Sequence, residues 1–109
     1  MLEVTFFRDS RDRLSSVSAE GHAGWADYGQ DVVCAAASAV LQAARLGLES
    51  HVGLPLHAEQ HEGSLKLSWP ESSRDDLRVA AIVATAELAI EQIARQYPGH
   101  VRAIRRTGA

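Results

Sequence analysis

The chain has 109 residues, and a chain of this length is expected to form one domain, residues 1–109, that buries a core without disulfides or metals. Its 14 acidic and 11 basic residues leave a net charge of −3, which argues against a nucleic-acid-binding module because such domains present a basic face. The N-terminus lacks the charged and apolar regions of a signal peptide, and no apolar run of about 20 residues stands out as a membrane span. Because a single cysteine suits a reducing compartment, we expect a cytoplasmic protein without membrane association.

The chain opens with two segments that are typical of strands. Apolar side chains at alternate positions of residues 2–6 have the period of a half-buried strand. After a turn, residues 13–20 form a weaker strand that pairs back as a hairpin and ends at Gly21 and His22. His22 is therefore expected at a strand end, on a rigid support, where Gly21 permits a backbone conformation that other residues avoid.

A loop and a helix follow the hairpin. Residues 23–30 have neither helical nor strand periodicity and include glycines and aromatics, so we expect an exposed loop that is able to move. Asp31 is a good N-cap, which predicts a helix that begins at Val32 and has Cys34 in its first turn. Apolar residues recur at helical spacing as far as Leu48, which indicates an amphipathic helix of about 16 residues.

Cys34 is the only cysteine, and its place at a helix start favours a reactive thiol. The positive end of the helix dipole stabilises a thiolate, a neighbouring imidazolium adds to this effect, and N–H groups of the first turn can hold an oxyanion. His22 lies upstream in the same turn-rich segment and is the candidate partner. Free cysteines are commonly small core residues, and spacing alone leaves that alternative open.

Two further strands are predicted at residues 56–60 and 64–69, joined by a tight turn. His57 and His61 are close in sequence, but no Cys or carboxylate cluster stands beside them at ligand spacing. They are more simply explained as surface histidines of this hairpin. The sequence therefore predicts no metal site and no cofactor.

A second helix is predicted with Ser72 or Ser73 as its cap and Asp75 and Asp76 in its first turn, and its long apolar part runs from Leu77 to Gln96. Its broad apolar surface indicates packing against a sheet and a neighbouring helix, and it leaves a homodimer interface open. Residues 100–106 form a last short strand. The order β-β-α-β-β-α-β predicts an α+β fold, with a mainly antiparallel sheet and both helices packed on one face.

One segment of the chain carries a recognisable pattern. It reads G-H-A, a short loop, G-x-D, and then C-A-x-x-S on a helix, and the matching positions are Gly21, His22, Ala23, Gly29, Asp31, Cys34, Ala35 and Ser38. The pattern resembles that of the ribosomal-processing cysteine protease family, called Prp, and the length and order of elements are similar over essentially all of the chain. The resemblance implies a cysteine endopeptidase in which Cys34 and His22 form the catalytic dyad.

The resemblance also implies a partner, the N-terminal segment of a large-subunit ribosomal protein in bacteria, from which the family removes a short extension. The supporting residues would be Asp31, Ser38 and Gly21. The candidate substrate-binding residues are Trp25, Tyr28 and Gly29. Besides capping the helix, Asp31 is a candidate to orient His22, and Asp27 is the second candidate for that role. The competing hypothesis is a non-catalytic ribosome- or protein-binding module, in which Cys34 is a core residue.

Overall fold

The computed structural model describes residues 1–27 and 29–108. Within these residues, five strands and two α-helices follow one another in the predicted order. The strands are β1 (Leu2–Arg8), β2 (Leu14–Gly21), β3 (His57–His61), β4 (Ser64–Ser68) and β5 (Val101–Thr107). The helices are α1 (Val32–Leu46), which continues into a π-helical segment (Gly47–Val52), and α2 (Leu77–Gln96).

The strands form one sheet in the order β3-β4-β2-β1-β5. β1 pairs antiparallel with β2, as do β2 with β4 and β3 with β4, whereas β5 runs parallel to β1. Parallel strands need a long crossover connection, and α2 provides it by returning the chain across the sheet from β4 before β5 begins. The sheet is mixed but mainly antiparallel, and the predicted α+β class is confirmed.

One face of the sheet is apolar and lies under the helices. Its buried positions alternate along the strands, from Leu2, Val4 and Phe6 of β1 to Leu65 and Leu67 of β4. The helix residues that complete this core include Val33, Ala37, Leu41, Val79, Val83 and Ile90. The period of two in the strands and the period of 3.6 in the helices therefore meet in a single core.

α1 and the π-helical segment together make a 21-residue helix, Val32–Val52, in which an 18-residue stretch has a mean hydropathy of 1.4. By length and composition it is apolar enough to cross a membrane, which corrects the prediction that no such run exists. Much of its apolar character comes from alanine, so it does not stand out in the sequence. Core helices meet the same criterion, and this one contributes Val33, Leu41 and Leu48 to the core, so the criterion is weak evidence for a membrane span.

The start of α2 differs from the prediction. Asp76, rather than Ser72 or Ser73, is the N-cap, and its carboxylate accepts hydrogen bonds from the backbone N–H and the guanidinium of Arg78. These bonds lower the pKa of Asp76 to about 2. Ser73 instead ends a short 3₁₀ turn (Glu71–Ser73), where its hydroxyl donates to a backbone carbonyl three residues earlier at 2.6 Å. Because the serine is used within its own turn, the cap falls to the aspartate.

A buried ion pair joins the sheet to α2. Arg8, at the end of β1, donates from both terminal guanidinium nitrogens to Glu87 at 3.0 and 2.7 Å, and the two side chains are only 13% and 6% exposed. These bonds raise the pKa of the Arg8 guanidinium above its ordinary value. Arg105 of β5 lies 3.5 Å from the same carboxylate but is largely exposed. The helical pattern of α2 does not indicate this pair, because its members are 79 positions apart.

We expect Glu87→Leu to lower the free energy of unfolding by about 3 kcal/mol, because it leaves the Arg8 guanidinium buried without its partner. The double variant Arg8→Met, Glu87→Leu should recover most of this loss, since no uncompensated charge then remains. Urea denaturation measures both values. Arg105→Met is the control and should cost less than about 1 kcal/mol, as for an exposed pair; a loss as large as that of Glu87→Leu would contradict the assignment.

Candidate active site

A groove of about 900 Å³ lies between α1 and the end of the sheet near the β3–β4 turn. One wall is α1, from which Cys34, Ser38 and Gln42 line the groove at intervals of four residues. The β3–β4 turn forms the other wall, and Ala19 and Leu65, which pair in the sheet, lie between them. Of the residues predicted for the site, those that line the groove are Gly21, His22, Gly29, Asp31, Cys34 and Ser38.

Cys34 lies in the first turn of α1, because the helix begins at Val32 as predicted. Its side chain is half-buried, with part of it packed against the core and part lining the groove. Cys34 thus combines the packing of a core cysteine with the access to a groove that a nucleophile needs.

The N-cap Asp31 joins the loop to α1. Its Oδ1 accepts the N–H of Cys34 at 2.9 Å, and its Oδ2 accepts the N–H of Trp25 at 3.0 Å. These hydrogen bonds, above all the one from Cys34, hold the pKa of the Asp31 carboxyl below its ordinary value of 3.8. Both oxygens are engaged with the backbone, and the suggested role of Asp31 in orienting His22 stays a prediction.

Two N–H groups of the first turn of α1 are already used. Cys34 donates to the Asp31 side chain at 2.9 Å, and Ala35 donates to the Asp31 carbonyl at 3.0 Å. If this turn binds an oxyanion as predicted, the hydrogen bonds must come from N–H groups other than those of Cys34 and Ala35.

His22 follows β2 and packs on the β3–β4 turn. A Cβ atom at Gly63 would lie 3.0 Å from Nε2 of His22, so the imidazole rests on a residue without a side chain. The carbonyl of Gly63 also accepts the N–H of Gly21 at 2.8 Å. Gly21 has a φ of +96°, and a Cβ there would collide with the carbonyl oxygen of Met1. Glycine is therefore required at position 21 by the backbone of Met1, and at position 63 it is favoured by a φ of +71°.

Trp25 is not one of the residues that line the groove, although its neighbours Gly24 and Ala26 are. Its ring meets those of Tyr97 and His100 edge-on, with ring centroids 5.2 Å apart in each pair. Nδ1 of His100 is in turn 2.8 Å from the carbonyl oxygen of Ala23. A substrate-binding role for Trp25 stays a prediction, and Tyr28 lies outside the described residues.

Two glutamines bridge the walls of the groove about two helical turns beyond Cys34. Nε2 of Gln42 donates to Oε1 of Gln60 in β3 at 3.0 Å, and Arg45 donates to the same oxygen at 3.0 Å. The groove is bounded here by amide and guanidinium groups. The sequence does not indicate Gln60 or Gly63, because each acts on a distant element; for Gln42 the available signal is its place on the face of α1 that carries Cys34.

A single thiol at a helix start, in a groove that is also lined by His22 and His61, matches the class of cysteine-dependent hydrolases. Residues 1–102 match the family model described as cysteine protease Prp. The chain belongs to this family and is a cysteine protease, a hydrolase that acts on peptide bonds. The resemblance carried by the segment from Gly21 to Ser38 is thereby confirmed over nearly the whole chain.

The relatives match along their full lengths. The ribosomal processing cysteine protease Prp of Staphylococcus aureus is 27% identical over 105 residues, which cover 94% of this chain and 96% of that protein. A crystal structure of S. aureus Prp with a covalently linked product peptide has a TM-score of 0.89 at 21% identity, over 96% of this chain and 99% of that one. The crystal structure of a Streptococcus mutans protein has a TM-score of 0.82 at 30% identity, over 98% of this chain and 95% of that one. The fold is shared by all three proteins.

The lowered pKa of Asp31 predicts acid sensitivity. A carboxyl whose pKa is lower in the folded than in the unfolded chain stabilises the fold above its ordinary pKa of 3.8, and this contribution is lost as the pH falls through the folded value. We expect Asp31→Asn to be less stable than the wild type at pH 7, because the amide cannot accept both N–H groups. The difference should shrink below pH 3.8.

Thermal melting between pH 7 and pH 2 measures this difference. The control is Asp27→Asn, which changes an exposed aspartate of the same loop and should follow the wild-type pH profile. A constant difference between Asp31→Asn and the wild type at all pH values would contradict the prediction.

Proposed function

We propose that this cysteine protease removes a short N-terminal extension from a large-subunit ribosomal protein, with Cys34 as the nucleophile and His22 as the acid and base. Cys34 and His22 line the same groove, and this shared position is the main support for the dyad. Membership of the Prp family supports the reaction. The S. aureus relative is described as a ribosomal processing protease, which supports the substrate.

The reaction proceeds in two halves. The Cys34 thiolate attacks the carbonyl carbon of the scissile peptide, which forms a C–S bond and an oxyanion. The His22 imidazolium donates its proton to the amine nitrogen as the C–N bond breaks, and the amine product leaves. Neutral His22 then takes a proton from water as the water attacks the acyl-enzyme, and the C–S bond breaks to release the acid and restore the thiolate.

The supporting residues act on the position of the dyad. Asp31 accepts one N–H from the helix that bears Cys34 and another from the loop that follows His22, so it holds the two segments together. Gly21 permits the turn that precedes His22. Ser38 lines the groove one helical turn after Cys34, where its hydroxyl is available to a bound peptide.

The groove suits a peptide in size and in charge. Its volume of about 900 Å³ lies in the range of about 300–1,000 Å³ that is common for ligand pockets. Asp31 and Glu62 contribute carboxylates to its lining and the chain carries a net charge of −3, so a basic partner segment is not repelled. Gly29 leaves room for a peptide backbone. This function implies a cytoplasmic protein without direct nucleic-acid contact, and no observation favours the non-catalytic binding module.

We expect Cys34→Ser to abolish cleavage of a peptide that spans the processing site, because a serine hydroxyl stays protonated at neutral pH where a thiolate would attack. Mass spectrometry follows the cleavage. The variant should melt within a few degrees of the wild type and still bind the peptide, since size and packing hardly change. Cleavage at the wild-type rate would contradict the assignment of Cys34 as the nucleophile. Loss of the fold would show instead that Cys34 is a packing residue.

We expect His22→Ala to lower the rate of peptide cleavage by about 10²-fold or more, because the departing amine loses its proton donor. The matched control is His51→Ala, which removes an exposed histidine outside the groove and should keep the wild-type rate. Equal rates for the two variants would contradict the proposed role of His22.

We further propose that the protein forms a homodimer. Val32 and Leu46 of α1 and Leu77 and Leu88 of α2 are between 63% and 83% exposed, so both helices offer large apolar side chains that a second copy of the chain could cover. Sedimentation velocity of the wild type at about 50 μM should then give a dimer, and Leu88→Lys should shift it to monomer because a buried ammonium is costly. A monomeric wild type at this concentration would rule out the homodimer.

A further inference from the structure

We propose that His100 is a positioning residue for this protease, and that it acts by holding the backbone that carries His22. This role presupposes the dyad proposed above. His100 does not line the groove, and its effect on the reaction passes through the carbonyl group of Ala23, the residue that directly follows His22.

The contact between His100 and Ala23 is a directed hydrogen bond. Nδ1 of His100 lies 2.8 Å from the carbonyl oxygen of Ala23. A carbonyl oxygen can only accept, so Nδ1 carries the proton and donates it. Ala23 is 1% exposed, so water cannot readily replace His100 as the hydrogen-bond partner of its carbonyl. The bond therefore fixes the peptide unit next to His22.

His100 is itself held rigidly. Its N–H donates to the carbonyl of Tyr97 at 2.9 Å, and its carbonyl accepts the N–H of Leu2 at 2.9 Å, so its backbone joins the end of α2 to the start of β1. The rings of Trp25 and Tyr97 meet edge-on, and Trp25 meets the imidazole of His100 in the same way. The imidazole of His100 is thus held by a ring contact as well as through its backbone.

A second hydrogen bond lies on the other side of His22. The N–H of Gly21 donates to the carbonyl of Gly63 at 2.8 Å. The residues before and after His22 are therefore both tied to other elements, Gly21 to the β3–β4 turn and Ala23 to His100. An acid–base group has to be held within a fraction of an ångström of its productive place, and this arrangement does so for the backbone of His22.

Two variants of nearly equal shape test the role of the His100 donor. His100→Asn keeps an N–H group close to the place of Nδ1, whereas His100→Asp offers only oxygens to the Ala23 carbonyl. We expect His100→Asp to lower kcat about tenfold or more while KM changes less than about threefold, because proton transfer is misaligned but peptide binding persists. His100→Asn should stay within about threefold of the wild type in both. Deuterium uptake in residues 22–31 should rise in the Asp variant alone.

Equal kcat for the two variants, equal uptake, or a change confined to KM would overturn the positioning role. Thermal melting shows whether each variant is folded. If His100→Asp is not folded, His100→Asn still tests the proposal, because a tenfold loss of kcat in folded His100→Asn would also overturn the positioning role. Alkylation of wild-type Cys34 by iodoacetamide separates this failure from that of the dyad. An unreactive Cys34 overturns the dyad, whereas a reactive Cys34 with equal kcat in both variants overturns the role of His100 alone.

Discussion

The carboxylate of Asp31 is the contact on which the arrangement of the site depends. One oxygen caps α1 at the N–H of Cys34, and the other closes the loop at the N–H of Trp25. A single side chain thereby sets where the helix starts and how the loop returns from β2 to that start. Because Cys34 and His22 stand on the two segments that Asp31 connects, their shared groove follows from this one cap.

The groove itself exists because α1 leaves part of the sheet uncovered. Cys34 and Leu41 of α1 lie at the edge between the core and the groove and contact both. On the opposite side the β3–β4 turn approaches so closely that a Cβ atom at Gly63 would lie 3.0 Å from Nε2 of His22. The bond between Gln42 and Gln60 limits the opening further along α1. Packing of the core and shape of the site are thus decided by the same two elements.

Local patterns in the sequence determined much of the fold. The alternation of β1, the cap at Asp31, the place of Cys34 in the first turn and the end of α2 at Gln96 were all predicted as observed. Each of these features arises between residues at most four positions apart, through side-chain periodicity or a hydrogen bond to a nearby N–H. The pattern from Gly21 to Ser38 indicated the family for the same reason, since Cys34 and its cap Asp31 belong to one turn.

What only the tertiary structure decided involves residues far apart in the chain. The sequence does not indicate that the ring of Trp25 packs on Tyr97 and His100, and the bond from His100 to Ala23 spans 77 positions. The parallel pairing of β5 with β1 and the burial of Glu87 against Arg8 are likewise products of distant contacts. The sequence around a carboxylate on an apolar helix face, or around a glycine in a turn, does not indicate which distant group it will contact. That partner is set by how the elements pack, because burial and sterics depend on the whole fold rather than on neighbours in sequence.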